Sequence, residues 1–512
     1  MAWGPIAHRP DNIANTSLLY GLIALFSNIT SSQFTQKFLL VSLFVSAGVG
    51  AHKIVSKLRL GLVNTNTYAA YLAGIIYTIN PFIYTRFLAG QWLVMLGYAL
   101  LPWAILSIWN LINTPTLKNS LKVAVWASAI SLTSIHTIGI VAVAGVVLIA
   151  VAKRENIKKR LIYFGAASLG WLTINLIWLI PFFTRTSEGA SRIAEFGTSQ
   201  FTAFATSGSI LGSVPLSTLL LQGFWADEQG RYILPSSTGL WFAFFSAILG
   251  AIIVYGAVRV IRSRDRLGIG LIIMGLIGWF LAMGVGFAGS AGLTYWLFEH
   301  VPLYRGYRDT QKWLMLLVVA YSYLAAIGLA GLMERLKKYE IRRQLVLGFV
   351  LLLPLLITPM LLNGAAGQLR SAPYPEDYKQ AAATLNKEGD DYKVVVFPWH
   401  MYLPLSYAGR VVANPAGHYF SQEMIISDNP ELKGVPPEQK TDIHKLISNK
   451  LLPQRFERTD IAVRLKEYDV RYIMVLKEAD WKKYSWLNAQ EDLTLIQDTN
   501  TIQLYRIENR NK

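Results

Sequence analysis

The densest chemistry in the chain lies in "HVPLYRGYRDTQKWLMLLVVAYSYL", His300–Leu324, where Arg305, Arg308 and Lys312 run straight into an apolar segment. Offsets of three and seven residues put all three on one face if the helix holding Trp313 begins a turn or two early. A helix N-terminus presents free backbone N–H groups and the positive end of the dipole, so cations there are repelled unless an anion lies between them. The chemistry implied is a phosphate site at a membrane surface, suited to a lipid phosphate or diphosphate. General contact with lipid head groups, or an ion pair with Asp309, would use the same residues.

Two further candidates for substrate or phosphate binding interrupt apolar runs. His136, in "SLTSIHTIGIV", sits between two short ones; a polar group at membrane depth is tolerated only when buried in protein or lining a cavity. A packed histidine with satisfied hydrogen bonds is the plainer reading. Arg86, with Gln91, lies in "NPFIYTRFLAGQW", where Asn80-Pro81 ends the preceding helix; lining the same cavity and capping helix ends are the two readings. For acid/base work the acids on the same side are Asp11, Glu188, Glu195, Asp227, Glu228, Glu299 and Asp309. Asp227 and Glu228, in "GFWADEQGRY", stand beside Trp225, Arg231 and Tyr232, a mixture that suits a sugar site, and Asp11 lies in "HRPDN". These three are the candidate catalytic acids, with an exposed loop acid as the alternative for each. No H-E-x-x-H, Walker loop, G-x-S-x-G or zinc spacing occurs, while a divalent metal remains open.

The elements that must position these residues are membrane helices. Hydrophobic residues make up 53% of the 512, charged residues 15%, and the mean hydropathy is +0.36, outside what one water-soluble core needs. Apolar runs long enough to span occur at Phe38–Val55, Trp92–Ile112, Leu161–Phe183, Gly239–Val258, Leu267–Phe287, Trp313–Met333 and Leu345–Leu362. Shorter runs lie at Tyr68–Ile79, Leu121–Thr133 and Ile138–Ala152. If these also cross, the loops holding Lys53, Lys57 and Arg59; Lys118 and Lys122; Lys153–Arg160; Arg259–Arg266; and Arg335–Arg343 collect nineteen basic residues on one side. The positive-inside rule makes that side cytoplasmic. Ten crossings result, with both ends outside and outside loops at 1–37, 184–238 and 288–312.

The net charge of +17 does not indicate a nucleic-acid partner, because residues 363–512 carry 20 basic and 20 acidic groups and the excess belongs to the membrane part. Cysteine is absent, which excludes disulfides and thiolate-metal chemistry. After Leu362 the pattern becomes water-soluble: a helix over Glu376–Asn386, a buried strand in Tyr392–Pro398, a helix over Asp460–Glu467, a strand in "VRYIMVL", then a hairpin from "LTLIQD" and "IQLYRI". The expected fold is mainly α, a membrane domain over 1–362 followed by an extracytoplasmic α/β domain over 363–512. Residues 1–16 are polar and turn-rich, without a signal peptide, and an upstream helix is expected. Leu18–Phe26 is too short to span and reads as an interfacial helix.

Several stretches resemble the GT-C class of membrane glycosyltransferases, in particular the families of mycobacterial arabinofuranosyltransferases and of bacterial envelope-glycosylating membrane proteins. They are "FTQKFLLVSLFVSAGVGAHKIV", "AGIIYTINPFIYTRFLAGQWLVMLGYALLPW", "SIHT", "NLIWLIPFF" and "VPLYRGYRDTQKWLML", and the likeness covers about residues 5–335. It implies a polyprenyl-phosphate-linked sugar donor and transfer to an envelope glycan or glycolipid outside. It also implies a general base in the first outside loop, where Asp11 is the only acid, and basic residues that steady the departing lipid phosphate. Membrane lipids are the other partners. The family places its acidic motif nearer the end of a first helix that this chain lacks. The rival reading is a lipid-linked oligosaccharide transporter or a noncatalytic envelope-assembly protein.

Overall fold

The computed structural model describes residues 14–56, 67–184, 197–301, 304–429, 431, 441–455 and 460–508. Two compact units divide the chain, one built on Lys37–Leu369 and the other on Arg370–Lys512. Up to the middle of the chain the helices are α1 (Ser17–Ile29), α2 (Ser32–Ser56), α3 (Thr67–Thr78), α4 (Pro81–Leu88), α5 (Trp92–Asn113), α6 (Leu117–Ser131), α7 (Ile135–Val151) and α8 (Ile157–Phe183). Long helices follow at Leu240–Ser263, Arg266–Met283, Leu314–Arg335 and Glu340–Ile357.

This is a multi-pass membrane protein. Among the described residues six helices are long and apolar enough to cross, or seven if Glu340–Ile357 and Pro359–Ala366 form one span. Length and composition do not confirm ten crossings, because α3, α6 and α7 have 12, 15 and 17 residues and a straight crossing takes about 20. Nor is Leu345–Leu362 a single straight helix. Pro359 disfavours helical geometry at Thr358, and the two segments meet at a 74° bend.

Asn80 and Pro81 explain the break between α3 and α4. The Asn80 side chain donates to the carbonyls of Ile76 and Tyr77, closing α3, and its oxygen accepts from the Ile83 N–H at 3.0 Å, capping α4. Pro81 occupies the first position of α4, where a missing N–H costs nothing.

Leu314–Arg335 is the central pillar, 94% of its span being buried inside the protein. Two glycines allow its close crossing with Leu240–Ser263: a Cβ on Gly256 would strike the Leu324 carbonyl, and one on Gly328 the Ile252 carbonyl.

The basic loops meet at one end of this bundle. Arg259 pairs with Glu334 at 3.0 Å, Arg266 donates to the Val151 carbonyl at 3.2 Å, and buried Arg160 donates to the carbonyls of Ile112 and Lys153. These contacts gather the C-terminal ends of α5, α7 and two later helices with the N-terminus of α8. The N-termini of α5, α7 and the central pillar therefore lie at the opposite end.

The second unit holds a five-stranded sheet in the order β4-β1-β5-β7-β6, with β1 (Lys393–Phe397), β4 (Glu423–Ile425), β5 (Val470–Leu476), β6 (Leu493–Asp498) and β7 (Ile502–Ile507). β1 runs parallel to β4 and β5, while β7 is antiparallel to β5 and β6. A separate hairpin joins β2 (Tyr402–Leu405) to β3 (Arg410–Ala413). All four buried positions of β1 are apolar, as a strand covered on both faces requires. Helices Glu376–Leu385 and Ile461–Lys466 occur where helical spacing was read.

Candidate functional site

At the end of the bundle away from the basic loops, Arg86 sits in the last turn of α4 and is fully enclosed. Its guanidinium grips the Asp309 carboxylate with both terminal nitrogens, Nη2 to Oδ1 at 3.0 Å and Nη1 to Oδ2. It also donates to Gln91 Oε1 at 2.6 Å and to Gln311 Oε1, while Gln311 Nε2 donates to the Gln222 carbonyl at 3.1 Å. The Phe82 and Phe224 rings cover it at 5.2 and 4.7 Å. Burial alone would push the Asp309 carboxyl up, but Arg86 and Lys312 outweigh that and hold it below the usual carboxylate range. Arg86 was a candidate for phosphate; the structure instead encloses it against a carboxylate. The ion pair anticipated for Asp309 forms with this distant arginine rather than with the three cations around it.

The cations do not share a helical face. Tyr304–Tyr307 and Thr310–Trp313 are two 3-10 turns, and the α-helix proper begins at Leu314. Asp309, drawn to Arg86, separates the two turns, so the helix does not begin early. Arg305 lies over the Phe298 ring at 5.1 Å and Arg308 over Phe204 at 4.5 Å, both half-buried. Lys312 differs: it is 8% exposed, and its ammonium makes no hydrogen bond or ion pair with any described residue. Asp309, Arg86 and Arg308 lie within Coulombic reach of it.

His136 occupies the first turn of α7. Its Nε2 bonds the Gly306 carbonyl, its Nδ1 lies 3.1 Å from Ser134 Oγ, and its own carbonyl accepts from the Tyr307 hydroxyl. The two rings meet edge to face at 5.2 Å.

Among the candidate acids, Asp227 is 5% exposed. One carboxylate oxygen accepts from the N–H groups of Gly223 and Phe224 at 3.0 and 2.9 Å; the other has no partner among the described residues. Burial pushes its pKa up to about 7, although the two N–H bonds and nearby Arg86 work against the shift. Its neighbour Glu228 is exposed and acts on Asp227 through its charge. Trp225 packs edge-on against Phe204 at 4.9 Å, the ring over which Arg308 lies. Asp11, Glu188 and Glu195 lie outside the described residues. No group of three or more His, Asp or Glu arranged for a metal occurs among the described residues.

Neither a family model nor a curated protein matches the sequence. Solved structures do. Arabinofuranosyltransferase AftD from mycobacteria superposes with a TM-score of 0.60 at 14% identity, over 96% of this chain and 35% of its own. The fold is that of the GT-C membrane glycosyltransferases. A mutant of AftD matches the GT-C fold of this chain equally, with a TM-score of 0.59 at 13% identity over 96% of this chain and 36% of its own. This chain thus spans about a third of AftD's length. The archaeal oligosaccharyltransferase AglB from Archaeoglobus fulgidus, solved with an inhibitory peptide and a dolichol-phosphate, matches with a TM-score of 0.47 and 10% identity, over 93% of this chain and 62% of its own.

Sequence reading missed Gln311, Gln222 and Tyr307 as parts of this site. Gln311 and Tyr307 lie within the cationic motif, where charge drew attention away from them. Nothing local marks Gln222, whose contribution is a backbone carbonyl.

Proposed function

We propose that the protein is a glycosyltransferase that takes a sugar from a polyprenyl-phosphate-linked donor and passes it to a cell-envelope glycan or glycolipid on the outer face. Lys312 carries the reading. Its buried ammonium makes no hydrogen bond or ion pair with any described residue and shares the charge of Asp309 with Arg86, and Arg308 close by adds to the positive potential; a ligand phosphate would stabilise a charge that is costly to bury. As the bond between the sugar's anomeric carbon and the phosphate oxygen breaks, negative charge grows on the departing lipid phosphate, where Lys312, Arg308 and Arg305 stabilise it. The attacking acceptor hydroxyl gives its proton to a carboxylate. Asp227, with a pKa near neutrality and one oxygen that no described residue partners, suits that role; Asp11 is the carboxylate that the family resemblance offers. The GT-C fold supports the reaction class, and the gathering of basic loops at the far end supports an outward-facing site.

The deciding experiment measures transfer from a polyprenyl-phosphate sugar by the full chain in membranes. Arg308→Ala and Lys312→Ala abolish transfer while leaving the protein inserted, and unchanged activity overturns the proposal. Because Asp227 and Asp309 are both held by protein groups, a noncatalytic carrier of lipid-linked oligosaccharide is the second reading. That carrier would keep its function in Asp227→Asn.

A further inference from the structure

The loop carrying Arg305 and Arg308 is tied to another helix by contacts in both directions. His136 bonds the Gly306 carbonyl, and Tyr307 returns a bond to the His136 carbonyl. One turn along α7, Gly139 faces the Tyr307 hydroxyl, and any Cβ there would collide with it. Tyr307 also stacks on Tyr304, at 5.3 Å, and on Trp313, at 5.0 Å. The stack ties the loop to the start of the central pillar. Both bonded residues flank a cation: Gly306 follows Arg305, and Tyr307 precedes Arg308. Moving this short backbone segment therefore moves both guanidinium groups.

We propose that His136 is a positioning residue, which with Tyr307 and Gly139 clasps the Tyr304–Asp309 loop onto α7 and so sets where Arg305 and Arg308 stand. The proposal rests on the phosphate-binding reading given above, and it removes His136 from the set of ligand contacts. Its Nε2 is occupied by a carbonyl and its Nδ1 faces Ser134, so neither ring nitrogen is left for a phosphate. A carbonyl acceptor at Nε2 calls for a donor there, which glutamine can supply at similar reach and alanine cannot.

The test is equilibrium binding of farnesyl phosphate to the full chain in nanodiscs, with farnesol as the uncharged control and melting temperature as the check on folding. His136→Ala and Gly139→Ala weaken farnesyl phosphate binding by about ten- to a hundredfold, the scale of a small misplacement of binding groups, and leave farnesol binding unchanged. His136→Gln recovers most of the loss. In a double-mutant cycle, Arg308→Ala adds little in the His136→Ala background, because the two changes remove the same interaction. Wild-type affinity in His136→Ala overturns the clasp while leaving the phosphate reading intact. Additive losses also overturn it, since they mean His136 meets the ligand directly. Equal binding by wild type and Lys312→Ala refutes the phosphate reading itself. Should His136→Ala fail to fold, Tyr307→Phe, which keeps the ring stack and removes one bond of the clasp, carries the same expectation.

Discussion

A carboxylate accepting two backbone N–H bonds is ordinarily a turn brace, and Asp227 has that geometry. Asparagine separates the brace from the base, because its carbonyl oxygen still accepts from Gly223 and Phe224 but takes up no proton. Asp227→Asn is expected to melt as wild type does at acidic pH, where the carboxyl is protonated, and to lower transfer by roughly 10²–10⁴-fold, the range for losing a general base. Wild-type transfer should rise as pH passes about 7 and the carboxyl ionises, a limb missing from the variant's profile. The stability sign is opposite. The folded protein holds this proton more tightly than the unfolded chain, so the contribution is complete below the ordinary carboxylate pKa and is lost as pH climbs toward about 7. At the ion pair, Arg86→Met strands a buried carboxylate and costs about 3–5 kcal/mol, and pairing it with Asp309→Leu recovers much of that in thermal melts. Sequence alone drew attention to Arg86, His136 and Lys312 because each breaks an apolar run. It left their partners unread, since Asp309 lies 223 residues from Arg86 and nothing local joins them.

Among the elements, the long apolar runs were legible, as were β1, β5 and the β6–β7 hairpin, because burial imposes period and composition on each. The start of the central pillar was not. Its apolar pattern is compatible with an early helix, and the two 3-10 turns on either side of Asp309, which Arg86 holds, leave no mark in that pattern. The same limit hid the bend after Ile357. Close crossing of helices makes a further prediction at this scale. Gly328→Leu forces its side chain against the Ile252 carbonyl, separates the pillar from Leu240–Ser263, and lowers the melting temperature and the yield of folded protein. Gly348→Leu, where nothing lies within 4 Å of the added carbon, leaves both unchanged.

For the whole molecule, the clustering of basic loops makes orientation testable, and the lack of cysteine makes the test clean. Single changes Glu228→Cys and Lys338→Cys place thiols at exposed positions at the two ends. A membrane-impermeant maleimide applied to intact cells should label the first and not the second; the reverse pattern inverts the topology. The membrane class was readable from hydropathy and the GT-C resemblance from a few aromatic-basic stretches, and a solved structure of the same fold shares 14% identity with this chain. The number of crossings was less so, since helices of 12 to 17 residues obey no length rule.

The wide separation of Arg86 and Asp309 also bears on how the chain is made. During synthesis the guanidinium leaves the ribosome long before its carboxylate, so the early helices pass through insertion with a cation whose one nearby partner in the chain is the neutral amide of Gln91. The first half of the protein is thereby kept from finishing its own packing, and closure waits for the segment just ahead of the pillar to arrive.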